Sequence, residues 1–325
     1  MPNSRRNAVR LVAGAVVALV LLVILSNVAV SRLLPFQNHL NSDFSTAYLR
    51  RHLAELAALP PQTVFLGDGL VAGFRLPSSE TAVSVLAGQG CACNNLAFKH
   101  GSPASYYALA LLLRSNAVKP KTVVLEINQE QYNPQYFGYR RLPEPLAELA
   151  WPLFGPDDRA ALVPPKHGLR QRLDRLAGRL SLVLAMRVDI KQILSGAMDP
   201  KPPPMSDDVK RSVYDPALLG PENVSVRYLE RTLEVLHGMG TQVLGFSAPA
   251  NHTVFDTVVN RRAYDINAAY LSQLLRRHRV RLLDLDQTMT AADFEDEVHL
   301  NAAGQGRLAA LLAPAVDGNR LNASL

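Results

Sequence analysis

Cysteine is nearly missing. Cys91 and Cys93 are the only two in 325 residues, too few for a disulfide-built scaffold, and no third cysteine or histidine lies at a spacing that would complete a metal site. Two residues apart on a predicted strand, they are expected as two buried thiols on one strand face, because a bridge between them closes a strained ring. Aromatics are sparse at 6%, with one tryptophan, so the chain offers no stacking platform and no nucleic-acid motif. A tail of one charge sign is also missing. The net charge of +6 comes mostly from arginines scattered through predicted helices, as expected of solvated helix faces, and RRHRVR at 276–281 ends a helix where positive charge complements the dipole. No metal and no cofactor is expected. The length suffices for a full core in one large domain or two modest ones.

Charge is absent altogether from 11–30, and this absence is the most informative. Leu11 to Val30 is an apolar stretch of about twenty residues, enough to cross a hydrocarbon core as a helix. Arg5, Arg6 and Arg10 lie in front of it, which favours a cytoplasmic N-terminus and sends the rest of the chain outside. A cleaved signal peptide is the competing reading, opposed by the length of the run and the lack of a small-x-small site. The resulting division is a cytoplasmic N-terminus and anchor over 1–31, a juxtamembrane helix within 32–60, and an α/β domain over 61–325 interrupted by a helical, proline-rich insertion at 134–220.

After the anchor, NSDFSTAYLRRHLAELAAL has capping residues followed by helical spacing of Tyr48, Leu49, Leu53, Leu56 and Leu59. Strands are predicted at 63–67, 91–97 and 121–128, with helices at 79–88 and 102–115 between them. Beyond the insertion, which includes LRQRLDRLAGRLSLVLAM and the KPPP run at 201–204, come a helix over 222–238, a strand in TQVLGFSAPA, a helix near 257–278, the strand RLLDLD and a last helix after Asn301. Such alternation implies a mainly parallel sheet covered on both faces, a three-layer α/β/α fold.

The stretch TVFLGDGLVAGF, 63–74, places Gly67, Gly69 and Gly73 directly after the first strand. Glycines there let backbone amides approach a dinucleotide pyrophosphate. The last spacing is one residue too long for the common form, and Asn94 and Asn95 end the next strand where an acidic residue should hold the ribose. The far end of the chain supplies a different partner. In FEDEVHLNAAGQGRLAALLA, Asp296 precedes His299 by three residues, near enough to fix the tautomer of a histidine base and stabilise its charged form. Both segments follow strands, so both fall at the carboxyl edge of one sheet, where open α/β folds bind ligands.

GDGL at 67–70, NLAFKHGSPASYYAL with Gly101, LEINQEQYN with Asn128, and Asp296 with His299 together resemble the four sequence blocks of the SGNH, or GDSL-type, hydrolase superfamily. The closer similarity is to its membrane-anchored envelope branch, which includes alginate acetyltransferase-like proteins. The likeness covers roughly 60–133 and 222–315. It implies a flavodoxin-like three-layer fold and an ester hydrolase or O-acyltransferase acting on cell-envelope polysaccharide, with an acylated glycan or a membrane acyltransferase as partner and no cofactor. By position it makes His299 the base, Asp296 its orienting partner, and Gly69, Gly101 and Asn128 the oxyanion donors, with Asn133 a substitute for Asn128. The third block departs from the usual form at Glu126 and Gln129.

The larger departure is Gly69, which stands where the family has its nucleophilic serine. Glycine has no side-chain oxygen, and loss of a triad nucleophile costs on the order of a millionfold in turnover. Three readings follow: a non-catalytic binding or accessory domain, direct activation of water by His299, or a nucleophile supplied by Ser102 or Ser105, whose other roles are helix cap and helix surface. Asp68, Asn251 and His252 are candidates for substrate contact, the last two with a loop-capping alternative. Tyr132, Tyr136, Phe137 and Tyr139 open the insertion, either as a sugar platform or as packing for the cap.

Overall fold

The computed structural model describes residues 14–26, 40, 44–136, 138–164, 205–214 and 216–316. Five parallel strands, β1 (Thr63–Leu66), β2 (Cys93–Asn95), β3 (Thr122–Ile127), β4 (Gln242–Ser247) and β5 (Arg281–Leu283), lie in the order β2-β1-β3-β4-β5. Alternate side chains go to opposite faces. Val64, Leu66, Val123, Leu125 and Ile127 enter one core cluster, and Phe65, Val124, Leu244 and Phe246 enter the other. Helices α1 (Thr46–Ala58), α4 (Pro103–Ser115), α8 (Val224–Gly238) and α10 (Arg261–Arg277) cover the first face. Helices α2 (Gly69–Ala72), α3 (Ala82–Gly88) and α11 (Ala302–Val316) cover the second. Sheet and helices form a three-layer α/β fold.

Within 32–60, α1 buries Leu49, Leu53 and Leu56 in the first core, so it is built into the folded unit. Leu59 falls one residue past its end and is 83% exposed. His52, invisible to the apolar spacing, is buried beside Asn94, and burial pulls its imidazole down to about 4 despite the hydrogen bond that its Nε2 makes to Asn94 Oδ1.

Of the expected span 11–30, residues 14–26 are helical and the rest lie outside the described residues. Among the described residues no helix is long and apolar enough to cross a membrane. The two cysteines correct the sequence reading, for Cys91 and Cys93 are paired as a disulfide.

Of the insertion, α5 (Glu144–Ala150), α6 (Pro156–Ala161) and α7 (Asp207–Tyr214) are described. The segment 169–186 and the KPPP run lie outside the described residues, as does Phe137. Tyr132, Tyr136 and Tyr139 are buried in the first core, which makes them packing residues and not a sugar platform. Asp158, at the start of α6, is buried against Tyr107 and the guanidinium of Arg231, which fastens the insertion to α4 and α8. Helix α7 is held elsewhere: the side-chain amide of Asn133 donates to the carbonyls of Ser212 (3.0 Å) and Val213 (2.9 Å) at its C-terminal end.

Candidate active site

The turn after β1 is shaped by a carboxyl group from β3. Position 126 shares its sheet face with Val124, so the Glu126 side chain points toward α2. Its Oε2 accepts the Asp68 N–H at 2.7 Å. A Cβ on Gly67 would stand 2.5 Å from that same oxygen, so only glycine fits there. Burial first, then the charge of adjacent Asp68 and a hydrogen bond with its carboxyl, push Glu126 well above the carboxylate range. Two carboxyl groups thus fill the concavity that a pyrophosphate would need. Asn94 and Asn95 are likewise committed, to His52 and to the Val71 carbonyl. These occupants oppose the dinucleotide reading.

Asp68 is 3% exposed and serves as a hub. Its Oδ1 accepts the Leu70 N–H and so caps α2; its Oδ2 accepts from Gln131 (2.9 Å), Asn128 (3.2 Å) and the Tyr136 hydroxyl (3.4 Å). It holds the turn together, which replaces the substrate contact expected of it. Gln131 escapes the sequence reading, although NQEQY after a buried strand is an unusual run of polar residues at a sheet edge, and the bond from Tyr136 to Asp68 is not part of the platform or packing roles read for that residue.

His299 arrives from the other end of the chain. An antiparallel bridge between Phe294 and Leu300 closes its loop, and the Glu295 N–H donates to the His299 carbonyl at 2.8 Å. The Asp296 carboxylate accepts the backbone N–H groups of Val298 (3.0 Å) and His299 (2.8 Å) and lies 2.8 Å from His299 Nδ1. Burial raises the Asp296 carboxyl, but these hydrogen bonds and the charge of His299 outweigh it and hold it below its ordinary value. In the neutral imidazole, a proton on Nδ1 directed at Asp296 leaves the lone pair on Nε2. Nε2 points at Gly69: a Cβ there would lie 3.0 Å from Nε2 and 3.5 Å from the Phe74 Cβ. The Phe74 ring packs against the imidazole, with centroids 4.3 Å apart and planes tilted by 35°. Two further ties hold the elbow to this loop. Gln305 on α11 donates to the Leu70 carbonyl and accepts the Ala82 N–H, and Arg75 pairs with Glu295.

The structure therefore brings Asp296, His299 and Gly69 together, but it does not assemble an oxyanion hole around them. The Gly101 N–H donates to the Phe98 carbonyl at 3.0 Å. Position 101 is glycine for a packing reason, since a Cβ would stand 2.3 Å from the Gly67 carbonyl oxygen. Asn128 spends its amide on Asp68 (3.2 Å) and on Glu130 Oε1 (2.9 Å). Asn133 is engaged with α7. The Gly69 N–H, at the first position of α2, is the remaining donor. Ser102 and Ser105 are fully buried, Ser102 as the cap of α4, and neither presents a hydroxyl to the site.

Asn251 and His252 lie on the next sheet-edge loop. The Asn251 N–H donates to the Glu297 carbonyl (2.9 Å), which braces the His299 loop, and its side chain accepts from Thr253. Both ring nitrogens of His252 are occupied, Nδ1 by Asp256 (2.9 Å) and Nε2 by the Asp286 carbonyl (3.1 Å). Burial lowers its imidazole, yet these acidic partners prevail and raise it overall. Both residues are loop supports in place of the substrate contacts expected of them.

No family model and no curated protein matches the sequence. Solved structures similar to this chain include a GDSL-like lipase from Bacteroides thetaiotaomicron, at 12% identity and TM-score 0.41 over 84% of this chain and 98% of the lipase. A putative acylhydrolase from Bacteroides fragilis is similar at 12% identity and TM-score 0.42, over 83% and 96% of the two chains. A family two carbohydrate esterase from Clostridium thermocellum, in complex with cellohexaose, is similar at 8% identity and TM-score 0.40, over 79% and 64%.

Proposed function

We propose that this chain is an SGNH-hydrolase-like domain with a disarmed site, one that binds acylated envelope polysaccharide or a membrane acyltransferase and does not cleave esters. The observation that carries this reading is the commitment of the donors: the Gly101 N–H is bonded to Phe98, and the Asn128 amide to Asp68 and Glu130. A site kept for hydrolysis needs preorganised donors free to meet an oxyanion. Here the serine oxygen and two of three donors are withdrawn together, while the Asp296–His299 pair that faces Gly69 is kept.

The domain is proposed to stand outside the cytoplasmic membrane on a single N-terminal helix. Val16, Leu19, Leu22 and Leu25 are all exposed on the described helical part of 14–26, an apolar surface suited to lipid. The Cys91–Cys93 disulfide suits an oxidising compartment.

The test is to incubate the natural protein with p-nitrophenyl acetate and with an acetylated oligosaccharide, measuring turnover and binding separately. Binding of the acetylated oligosaccharide without turnover supports the proposal. Turnover that disappears in His299→Ala refutes it and establishes water activation.

A further inference from the structure

A cavity of about 660 Å³ opens at the carboxyl edge of β3, β4 and β5, beside α10. Its lining includes Gln129, Ser247, Asp284, Asp286, Ala268 and Leu282, and none of Asp68, Gly69, Gly101, Asn128, Asp296 or His299. We infer that this cavity is a second binding site, separate from the cluster of Gly69, Asp296 and His299, for a neutral, hydroxyl-rich sugar. The inference does not rest on the function proposed above.

The volume falls within the range of ligand sites, about 300–1,000 Å³. The first pointer to a ligand is Gln129. It is 8% exposed, its Nε2 donates to the Tyr264 carbonyl (3.1 Å), and its Oε1 is buried without a hydrogen-bond partner. A buried acceptor left without a partner is penalised by its lost hydration, so a donor that reaches it has something to gain there.

The second pointer is the balance of donors and acceptors. Asp284 uses Oδ1 for the Ser247 hydroxyl (2.7 Å) and the Asp286 N–H, and Oδ2 has no partner among the described residues. Arg261, the cation at one end, is engaged by Asp256, Asp265 and Asp286. With the guanidinium neutralised and carboxylates in excess, an anionic ligand is repelled. Among the described residues no group of three or more His, Cys, Asp or Glu stands where it would hold a metal ion. What remains is a pair of acceptors without partners among the described residues, Gln129 Oε1 and Asp284 Oδ2, in a lining whose apolar part includes Ala268, Leu271 and Leu282. A sugar ring presents that complement, with hydroxyl donors on its rim and C–H groups on its face.

The experiment is isothermal titration of the full chain, held in a sugar-free detergent, with cellobiose, maltose, lactose, trigalacturonate and spermidine. At least one neutral disaccharide is expected to bind, and to lose about tenfold or more in affinity in Gln129→Leu and in Ala268→Trp. Ala268 is exposed on α10, so its replacement fills the cavity without disturbing the core; if Gln129→Leu does not fold, Ala268→Trp alone decides. His299→Ala is expected to bind the disaccharide normally, which separates this site from that cluster. The inference is overturned if no neutral disaccharide binds up to about 10 mM, if binding survives Ala268→Trp or is lost in His299→Ala, or if trigalacturonate or spermidine binds in place of the neutral sugars.

Discussion

Nε2 of His299 stands 3.0 Å from the point that a Cβ on Gly69 would occupy. A serine placed there meets its base after the imidazole gives way by a few tenths of an ångström, but it meets one free oxyanion donor in place of three. Each missing donor costs about 10²–10³ in kcat, so Gly69→Ser is expected to remain roughly 10⁴–10⁶-fold below a complete site. Mass spectrometry after p-nitrophenyl acetate treatment should show slow acetylation of the introduced serine, abolished by a further His299→Ala change. Turnover near an ordinary enzyme's ~10 s⁻¹ would mean that Gly101 and Asn128 release their donors during reaction.

The alternation of strands and helices is legible in the sequence because parallel strands buried on both faces leave unbroken apolar runs such as TVFL and TVVLEI. The pairing of Asp296 with His299 is legible because three residues suffice to close the loop that joins them. The acid cluster under the elbow is not legible. Glu126 sits in an apolar strand, and only the register of β3 against β1 puts its carboxyl beneath Gly67. Nor does sequence position show where a donor points: Gly101 and Asn128 match the family blocks, yet their hydrogen bonds go to Phe98, Asp68 and Glu130. The link from Gln305 to Leu70 spans 235 residues, beyond the reach of any local pattern.

Two glycines separate packing from flexibility. An added methyl at Gly101 would meet the Gly67 backbone carbonyl at 2.3 Å, and that carbonyl cannot move without breaking the turn. Gly101→Ala is expected to cost about 3 kcal/mol. At Gly306, inside α11, an added Cβ meets nothing within 4 Å. Gly306→Ala is expected to stabilise by about 0.5–1 kcal/mol through better helix propensity. Denaturant unfolding of the two variants measures both values, and equal effects would contradict the assigned contact.

Glu126 makes stability depend on pH. Below about 4.5, the ordinary value of its carboxyl, folded and unfolded chains both hold the proton. Above it the unfolded chain releases the proton while the folded chain keeps it, so this group erodes stability as pH rises toward its elevated folded value. In Glu126→Gln the amide oxygen accepts the Asp68 N–H and the NH₂ takes the place of the acid proton, with no titration. The variant is expected to match the natural protein near pH 4 and to gain over it above that, by about 1.4 kcal/mol per pH unit within the window. Parallel stability curves across pH would show that Glu126 is ionised in the folded chain.

Gln305 is fully buried, and its two hydrogen bonds join α11, the helix that follows His299, to both helices after β1. Leucine fills nearly the same space but leaves the Ala82 N–H and the Leu70 carbonyl without partners. At about 1–3 kcal/mol for each orphaned group, Gln305→Leu is expected to lose roughly 2–6 kcal/mol. Ala82 N–H should also exchange with solvent faster than the neighbouring amides of α3, because its protection comes from this side chain and not from the helix. A loss of stability with Ala82 still protected would place the cost in repacking of α11, and the tie between the elbow and the histidine loop would then rest on Arg75 with Glu295 and on Phe74 against His299.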